Sequence, residues 1–176
     1  MTRSQKKTRK RRKIRNQTYP RECISVLNPD KSIPKNHVSG TVIFRQYPKH
    51  IVIKYNITGL TDGEHGFHIH QCGDLTKGCS SGCAHFNPDG FTHGGLDDAK
   101  SHAGDLGNIM SENDLAKGTI STDKVTLRPS IRNIIGRMII VHQDRDDLGE
   151  GGDSESLKTG NAGKRLACGI IGIKSE

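Results

Sequence analysis

The stretch His50-Ile-Val-Ile-Lys-Tyr-Asn-Ile-Thr58 places an isoleucine or a tyrosine at every second position. Successive side chains of a β-strand leave opposite faces of the sheet, so this period of two puts Ile51, Ile53 and Ile57 on one face. Lys54 would then point away from them, towards solvent. The stretch therefore predicts a β-strand with one side packed into a core.

Short segments of similar character recur on both sides of this strand. They are bounded by turn residues and cover residues 23–27, 38–45, 65–71, 106–110, 118–121, 137–142 and 166–173. No stretch has a convincing helical period, and 21 glycines interrupt the chain. About eight strands of this kind predict an all-β sandwich or barrel.

Two long segments do not fit a plain sandwich. Residues 71–105 and residues 143–163 are rich in Gly, Asp, Asn and Ser and poor in large aliphatic side chains. Loops of this length inside a compact domain are uncommon, and they are usually either functional or disordered. Most of the nine histidines lie in the first loop or at its borders, which favours function.

The positive charge of the chain is concentrated at one end. Nine basic residues and no acidic residue lie within residues 1–18, which leaves a net charge of −1 on residues 19–176. A like-charged block of this kind stays solvated, so we expect a basic disordered tail (1–18) followed by one folded domain (19–176). The tail could bind nucleic acid by releasing counterions from phosphates.

The chain shows no sign of a membrane segment or a secretory signal. No apolar run approaches the ~18 residues that would span a bilayer, so we expect no membrane partner. The N-terminal segment has no apolar core, since Ile14 is its only large aliphatic side chain after Met1. We therefore expect an intracellular, cytoplasmic protein.

Three histidines lie on or at the end of predicted strands. His68 and His70 form an H-x-H pair whose imidazoles leave the same face of one strand. Neutral imidazole nitrogens side by side suit copper or zinc, although the pair could also be the polar face of a strand. His142 ends a strongly apolar run, where a histidine at the edge of the core is the alternative to a ligand.

The first long loop carries a second group of metal-binding side chains. His85, His93, His102 and Asp105 supply three imidazoles and one carboxylate. Such a set completes a closed tetrahedral shell, which is typical of structural zinc. A hydrophilic loop that contains histidines by chance is the alternative.

The cysteine count is odd, so at least one thiol stays unpaired within a monomer. The five are Cys23, Cys72, Cys79, Cys83 and Cys168. In a reducing compartment we expect most of them to remain thiols, although a buried disulfide with a low reduction potential could survive there.

The chain resembles the copper,zinc superoxide dismutases from about residue 23 to Ile173, with only the basic tail outside the resemblance. The matching motifs are Gly63-Glu-His-Gly-Phe-His-Ile-His70, His85-Phe-Asn-Pro88, His93-Gly-Gly95, Gly104-Asp-Leu-Gly-Asn108, Ile135-Gly-Arg137, Val141-His142, Asp146-Asp-Leu-Gly149, Lys158-Thr-Gly-Asn-Ala-Gly163 and Arg165-Leu-Ala-Cys-Gly169. The resemblance implies a Greek-key β-sandwich, or flattened barrel, of about eight antiparallel strands with two long functional loops.

The resemblance also implies the metal ligands. Copper would be held by His68, His70, His85 and His142. Zinc would be held by His85, His93, His102 and Asp105, so that His85 is shared between the metals. Asp146 would connect His68 with His93 and orient both rings.

The reaction implied by the resemblance is the disproportionation of superoxide to dioxygen and hydrogen peroxide. His85 would carry a proton, and Arg165 would guide the anion, unless it merely forms a surface salt bridge. Lys158 would steer superoxide at the rim, and Thr159 would line the channel. Because Ser154 and Asp144 replace a glutamate and a lysine common in the family, we expect local charges to steer the substrate and the rate to fall with ionic strength.

The resemblance further implies a disulfide between Cys79 and Cys168, for which Cys72 and Cys83 could compete. It implies a homodimer packed through residues around Ile135, Gly136 and Ile173, and a copper chaperone as a further candidate partner. Two alternatives remain: a non-catalytic relative that binds zinc or delivers copper, and a nucleic-acid-binding protein with a vestigial enzyme.

Overall fold

The computed structural model describes residues 19–175, and the predicted disordered tail lies outside the described residues. The strands are β1 (Glu22–Pro29), β2 (Ser39–Gln46), β3 (Ile51–Thr58), β4 (Gly63–His70), β5 (Thr76–Cys79), β6 (Asp105–Ser111), β7 (Leu115–Thr122), β8 (Met138–His142), β9 (Arg165–Ile170) and β10 (Gly172–Ile173). A single helical turn, α1 (Ser156–Thr159), and a 3-10 turn (Ser80–Gly82) lie in the long loops.

Each predicted strand segment contains a strand, and the alternating side chains of β3 point to the two faces as expected. Ile51, Ile53 and Ile57 are completely buried, whereas Lys54 is exposed. The segment 166–173 differs from expectation because it divides into β9 and β10, which pair with different parts of the sheet. The short elements β5 and α1 were not predicted, since four residues are too few to show a period.

The strands form a nearly closed barrel in the order β6-β4-β8-β9-β1-β2-β3-β7, and β10 pairs with β1. Neighbouring strands are antiparallel throughout this path. The terminal strands β6 and β7 are consecutive in the chain, and Glu112 and Leu115 bridge at the turn between them. Phe44, Phe67 and Ile109 fill the interior. The all-β prediction is confirmed.

Strand β4 positions the functional region because its two faces have different surroundings. Phe67 and Ile69 point into the hydrophobic core, while His68 and His70 leave the opposite face and are buried beneath the long loops. On one side β4 pairs with β8, which ends at His142. Within residues 19–175 no helix is long and apolar enough to cross a membrane.

Candidate metal centre

Four buried histidines meet on the outer face of the barrel, where the first long loop folds back over β4. One ring nitrogen of each lies within 4.8 Å of one ring nitrogen of each of the others. We call this set the four-histidine cluster, and its members are His68, His70, His85 and His142. The loop residue His85 reaches the cluster because its backbone forms an antiparallel bridge with His70.

The ring nitrogens of His70 and His142 face one another in a way that a hydrogen bond does not explain. Their Nε2 atoms lie 3.3 Å apart. The Nδ1 atom of His70 lies 3.0 Å from the carbonyl oxygen of Cys83, and that of His142 lies 3.3 Å from the carbonyl oxygen of Gly163. A neutral ring that donates from Nδ1 has a lone pair on Nε2. Two lone pairs at this distance repel each other unless a cation binds between them.

The other two members of the cluster have buried nitrogens that find no hydrogen-bond partner among residues 19–175. These atoms are Nδ1 of His68 and Nε2 of His85. Buried polar atoms are almost always paired, so such orphans need an explanation. All four convergent nitrogens are therefore suited to hold one metal ion, and an all-imidazole set is typical of copper or zinc.

The electrostatic environment keeps three of these rings, those of His70, His85 and His142, in the neutral form that a metal requires. Burial, with a further contribution from the nearby His68, lowers the pKa of His85 to about 3. Burial likewise lowers the pKa of His70 and of His142 well below the usual value, and other rings of the cluster lower both further. These three rings therefore resist protonation, and the lone pairs of their convergent nitrogens stay available to a metal ion.

A second set of ligands converges on the carboxylate of Asp105. Its Oδ1 atom lies 2.8 Å from Nδ1 of His85, 3.1 Å from Nδ1 of His93 and 3.2 Å from Nδ1 of His102. Burial alone would raise the pKa of this carboxyl, but hydrogen bonds from His102 and His85 and the nearby ring of His93 lower it far below its usual range. Three imidazoles around one ionised carboxylate fit a closed zinc site.

His85 is the one residue common to both sets. Its Nδ1 faces Asp105 at 2.8 Å, while its Nε2 is the unpartnered atom in the four-histidine cluster. The two nitrogens of a single ring thus point to two separate ligand sets. This arrangement agrees with the shared position expected from the resemblance.

Asp146 connects the two sets because it accepts a hydrogen bond from one histidine of each. Its Oδ2 atom accepts from Nε2 of His68 at 2.7 Å, and its Oδ1 atom accepts from Nε2 of His93 at 2.8 Å. Burial opposes ionisation of Asp146, but the hydrogen bonds with His68 and His93 lower its pKa. A ring that donates from Nε2 must present the lone pair of Nδ1, so Asp146 selects the ligating atom of both rings.

Two residues that support Asp146 were quoted in motifs but given no role by the sequence analysis. The side chain of Asn108 donates to the carbonyl oxygen of Asp146 at 2.9 Å and accepts from its amide at 2.7 Å. Gly160 lies so close to Asp146 and His93 that a Cβ atom would collide with both. The motifs that contain Asn108 and Gly160 were the only signal for these two residues in the sequence analysis, because their contacts depend on the tertiary fold.

An open cavity of about 310 Å³ gives access to the four-histidine cluster. Its wall includes His70, His85, His142, Glu155, Thr159 and Arg165. The guanidinium of Arg165 donates from Nη1 to the carbonyl of Cys79 at 2.9 Å and from Nη2 to the carbonyl of Cys83 at 2.7 Å. Within residues 19–175 it makes no salt bridge with a carboxylate, so the alternative of a surface ion pair is not observed.

Lys158 and Thr159, the residues expected at the rim and in the wall of the channel, line one cavity with Arg165. This cavity adjoins that of the four-histidine cluster, and Lys158 is exposed on α1. His65 bridges two carbonyl oxygens instead of joining a ligand set: Nδ1 lies 2.9 Å from that of His142, and Nε2 lies 2.9 Å from that of Thr61. Its role is therefore structural.

The cysteines differ from expectation in one respect. Cys79 and Cys168 form the disulfide implied by the resemblance, which joins the loop to β9. Cys72 and Cys83 do not compete for that bond but form a second disulfide with each other. The expectation that most cysteines remain thiols is therefore wrong, because the fold brings both pairs to Cα separations of 5.5 and 5.6 Å. Of the five, only the buried Cys23 is free in the described chain.

Comparisons with known proteins agree with this geometry. Residues 38–171 match the family model described as copper/zinc superoxide dismutase. The chain is 49% identical to "Superoxide dismutase [Cu-Zn]" of Paramecium bursaria Chlorella virus 1, over 92% of this chain and 83% of that protein. It is 52% identical to "Superoxide dismutase [Cu-Zn] A" of Xenopus laevis, over 77% of this chain and 90% of that protein.

A solved structure and an extracellular relative are also similar to this chain. The solved structure of the clock protein EA4 matches with a TM-score of 0.82 and 40% identity, covering 89% of this chain and 97% of that chain. A relative from Drosophila melanogaster, named "Extracellular superoxide dismutase [Cu-Zn]", is 43% identical over 88% of this chain and 87% of its own length. Since extracellular relatives exist, the expected intracellular location stays a prediction. On its fold, its ligand sets and these matches, the chain belongs to the copper/zinc superoxide dismutase family.

Proposed function

We propose that this chain disproportionates superoxide to dioxygen and hydrogen peroxide with copper and zinc as its metal ions. The observation that carries the proposal is the convergence of four buried imidazole nitrogens, two of them without a partner among the described residues, at the end of an open cavity. Copper, when bound, supplies the one-electron redox chemistry of this reaction, whereas zinc has none.

The copper set follows from the nitrogens that converge without another partner, and the zinc set follows from the nitrogens that converge on Asp105. Copper would be held by Nδ1 of His68 and by Nε2 of His70, His85 and His142. Zinc would be held by Nδ1 of His85, His93 and His102 together with Asp105. Asp146 keeps His68 and His93 in the tautomer that each set needs.

The residues around the cavity bind the substrate and handle its proton. Arg165 presents a guanidinium, held by the carbonyls of Cys79, Ser80 and Cys83, to an anion that enters the cavity. Lys158 adds positive charge at the outer rim, and Thr159 forms part of the wall. Nε2 of His85 would hold and hand on a proton whenever it is not bound to copper, because Asp105 engages Nδ1 on the other side of the ring.

A non-catalytic relative that only binds zinc or delivers copper is not favoured, because both ligand sets and Arg165 are complete. The direct test measures copper and zinc per subunit together with superoxide consumption, before and after selective removal of copper. We expect one ion of each metal per subunit, and loss of activity that returns when copper alone is restored. Activity that survives copper removal would contradict the proposal.

We also propose that the protein is a homodimer in the cytoplasm. The supporting observation is the exposed apolar side chain of Ile173 in β10, which is 67% exposed. The amide of Gly136 donates to the carbonyl of Ile171 at 2.9 Å, which brings the 135–136 segment next to β10. Sedimentation equilibrium should give twice the 19.3 kDa chain mass, and Ile173→Asp should give the monomer.

Two predicted partners have no support from the described residues or from the comparisons. They are a copper chaperone and a nucleic acid bound by the tail. Both stay predictions of the sequence alone.

A further inference from the structure

The carbonyl oxygen of Cys83 holds two functional side chains at once. It lies 3.0 Å from Nδ1 of His70 and accepts from Nη2 of Arg165 at 2.7 Å. The first residue is a proposed copper ligand, and the second is the proposed guide for superoxide. The position of one backbone oxygen therefore helps to set the direction of a ligand lone pair and of a substrate-binding group, which also donates from Nη1 to the carbonyls of Cys79 and Ser80.

The backbone at Cys83 adopts a conformation that residues with a side chain avoid. Its φ is 64° and its ψ is −153°. This region is essentially restricted to glycine, because a Cβ atom crowds the neighbouring carbonyl groups. Without an external constraint, we would expect the peptide to rotate and carry its oxygen away from His70 and Arg165.

The side chain of Cys83 supplies such a constraint. Its sulfur is bonded to Cys72, two residues after His70 in the chain. Backbone hydrogen bonds flank the cross-link on both sides: the amide of Cys72 donates to Gly82 at 3.0 Å, and that of Gln71 donates to Ala84 at 2.9 Å. The disulfide thus fastens the strained residue to the continuation of β4.

We propose that the Cys72–Cys83 disulfide is a positioning element of the metal site, which holds the Cys83 carbonyl against His70 and Arg165. This inference rests on the proposed function for the identity of the metal and the substrate. The pair also differs in accessibility from the other disulfide, since Cys83 is exposed whereas Cys79 is 1% and Cys168 is 4% exposed.

The test compares two variants that both lack the cross-link. Cys72→Ser leaves a residue with a side chain at position 83, whereas the double variant Cys72→Ser/Cys83→Gly places there the residue that adopts this backbone freely. Copper affinity of the zinc-loaded protein is measured by competition with a chelator, and the Cu(II) site is recorded by electron paramagnetic resonance. Steady-state superoxide consumption is measured on the same samples.

We expect Cys72→Ser to weaken copper binding by about tenfold, as is typical when the partner of a ligating histidine is disturbed, and to alter the resonance spectrum. The double variant should recover the wild-type affinity and spectrum to within about twofold. Wild-type copper binding in Cys72→Ser would overturn the inference. So would a double variant as impaired as the single one, because the cross-link itself would then matter and not the carbonyl. Activity of the wild type decides the proposed function separately.

Discussion

At the scale of single residues, the site depends on which nitrogen of each ring is already engaged. His68 and His93 donate from Nε2 to Asp146, while His70 and His142 face backbone carbonyls with Nδ1. In each ring, the nitrogen that is not bonded to a neighbour is left to bind the metal. Histidine therefore binds through Nδ1 at some positions and through Nε2 at others, depending on which nitrogen its neighbour occupies.

Replacement of His85 tests the shared ring directly. His85→Ala removes one nitrogen from each ligand set and also removes the atom that holds the proton. We expect weaker binding of both metals and a fall in superoxide turnover on the order of 10²-fold or more. Metal analysis and the visible copper spectrum provide the measurement. His37→Ala is the matched control, because His37 is exposed and belongs to neither set; unchanged metal content in His85→Ala would rule out the shared ring.

Acid should destabilise the metal-free protein because its buried histidine rings resist protonation in the folded state. The pKa of His85 is lowered to about 3, and those of His70 and His142 are also lowered, whereas a histidine in the unfolded chain titrates near ~6.5. Below that pH the unfolded chain binds protons that these folded rings do not, so their contribution to stability is full above about pH 6.5 and falls with further acidification. His93, whose pKa is raised to about 9 because Asp105 and Asp146 outweigh its burial, adds pH dependence only above this window.

Urea unfolding of the metal-free protein at pH 7, 6 and 5 measures this effect. We expect the midpoint to decrease with each step of acidification. His142→Leu removes one of the rings that resist protonation, so the midpoint of this variant should decrease less with acidification. A midpoint that stays constant between pH 7 and 5 would contradict the assignment of neutral buried rings.

At the scale of elements, the long loops acquire their shape from cross-links to the barrel. The Cys79–Cys168 disulfide ties the end of β5 to β9 across 89 residues of sequence. Asp146, near the start of the second loop, is held by Asn108 of β6. Loops that are poor in aliphatic side chains thereby gain fixed positions without a core of their own.

Removal of the longer cross-link should cost more stability than removal of the shorter one. In the chain-entropy description, opening the 89-residue loop by Cys79→Ser costs about 4–5 kcal/mol, and opening the 11-residue loop by Cys72→Ser costs about 3 kcal/mol. Denaturant unfolding of the two variants against wild type gives the comparison. Equal losses would show that the entropy of the unfolded chain does not govern their contributions.

At the scale of the whole molecule, charge is distributed so that the folded body offers no general attraction to an anion. Residues 19–176 carry a net charge of −1, and the excess of positive charge lies in residues 1–18. Attraction of superoxide must then arise from charges near the cavity, of which Arg165 and Lys158 are the proposed ones. Such attraction is screened by salt, with a Debye length of ~30 Å at 0.01 M and ~10 Å at 0.1 M.

We therefore expect kcat/KM to decrease as ionic strength rises. Arg165→Lys should lower kcat/KM by about tenfold because the fixed fork of donors is lost, and Lys158→Gln should lower it about twofold at low salt while reducing the salt dependence. Lys54→Gln removes the same charge from β3, which carries no site residue, and serves as the control. A flat salt profile in the wild type would contradict steering by these two residues.

The sequence by itself determined the class of fold and the identity of most candidate ligands. Alternation in β3 and the H-x-H pair of β4 are local patterns, and the face on which a strand residue lies follows from its position alone. The composition of the first long loop grouped His85, His93, His102 and Asp105, and the resemblance to a known family then assigned them to zinc, before any contact was visible.

Only the tertiary structure decided how these residues meet. The approach of His70 to His142 joins positions 72 residues apart, and the support of Asp146 by Asn108 spans 38 residues. The second disulfide and the strained backbone at Cys83 also follow from the packing of the loop against β4. Local patterns specify which way a side chain points, but the orientation of a ring depends on a neighbour that the folded barrel brings to it from elsewhere in the chain.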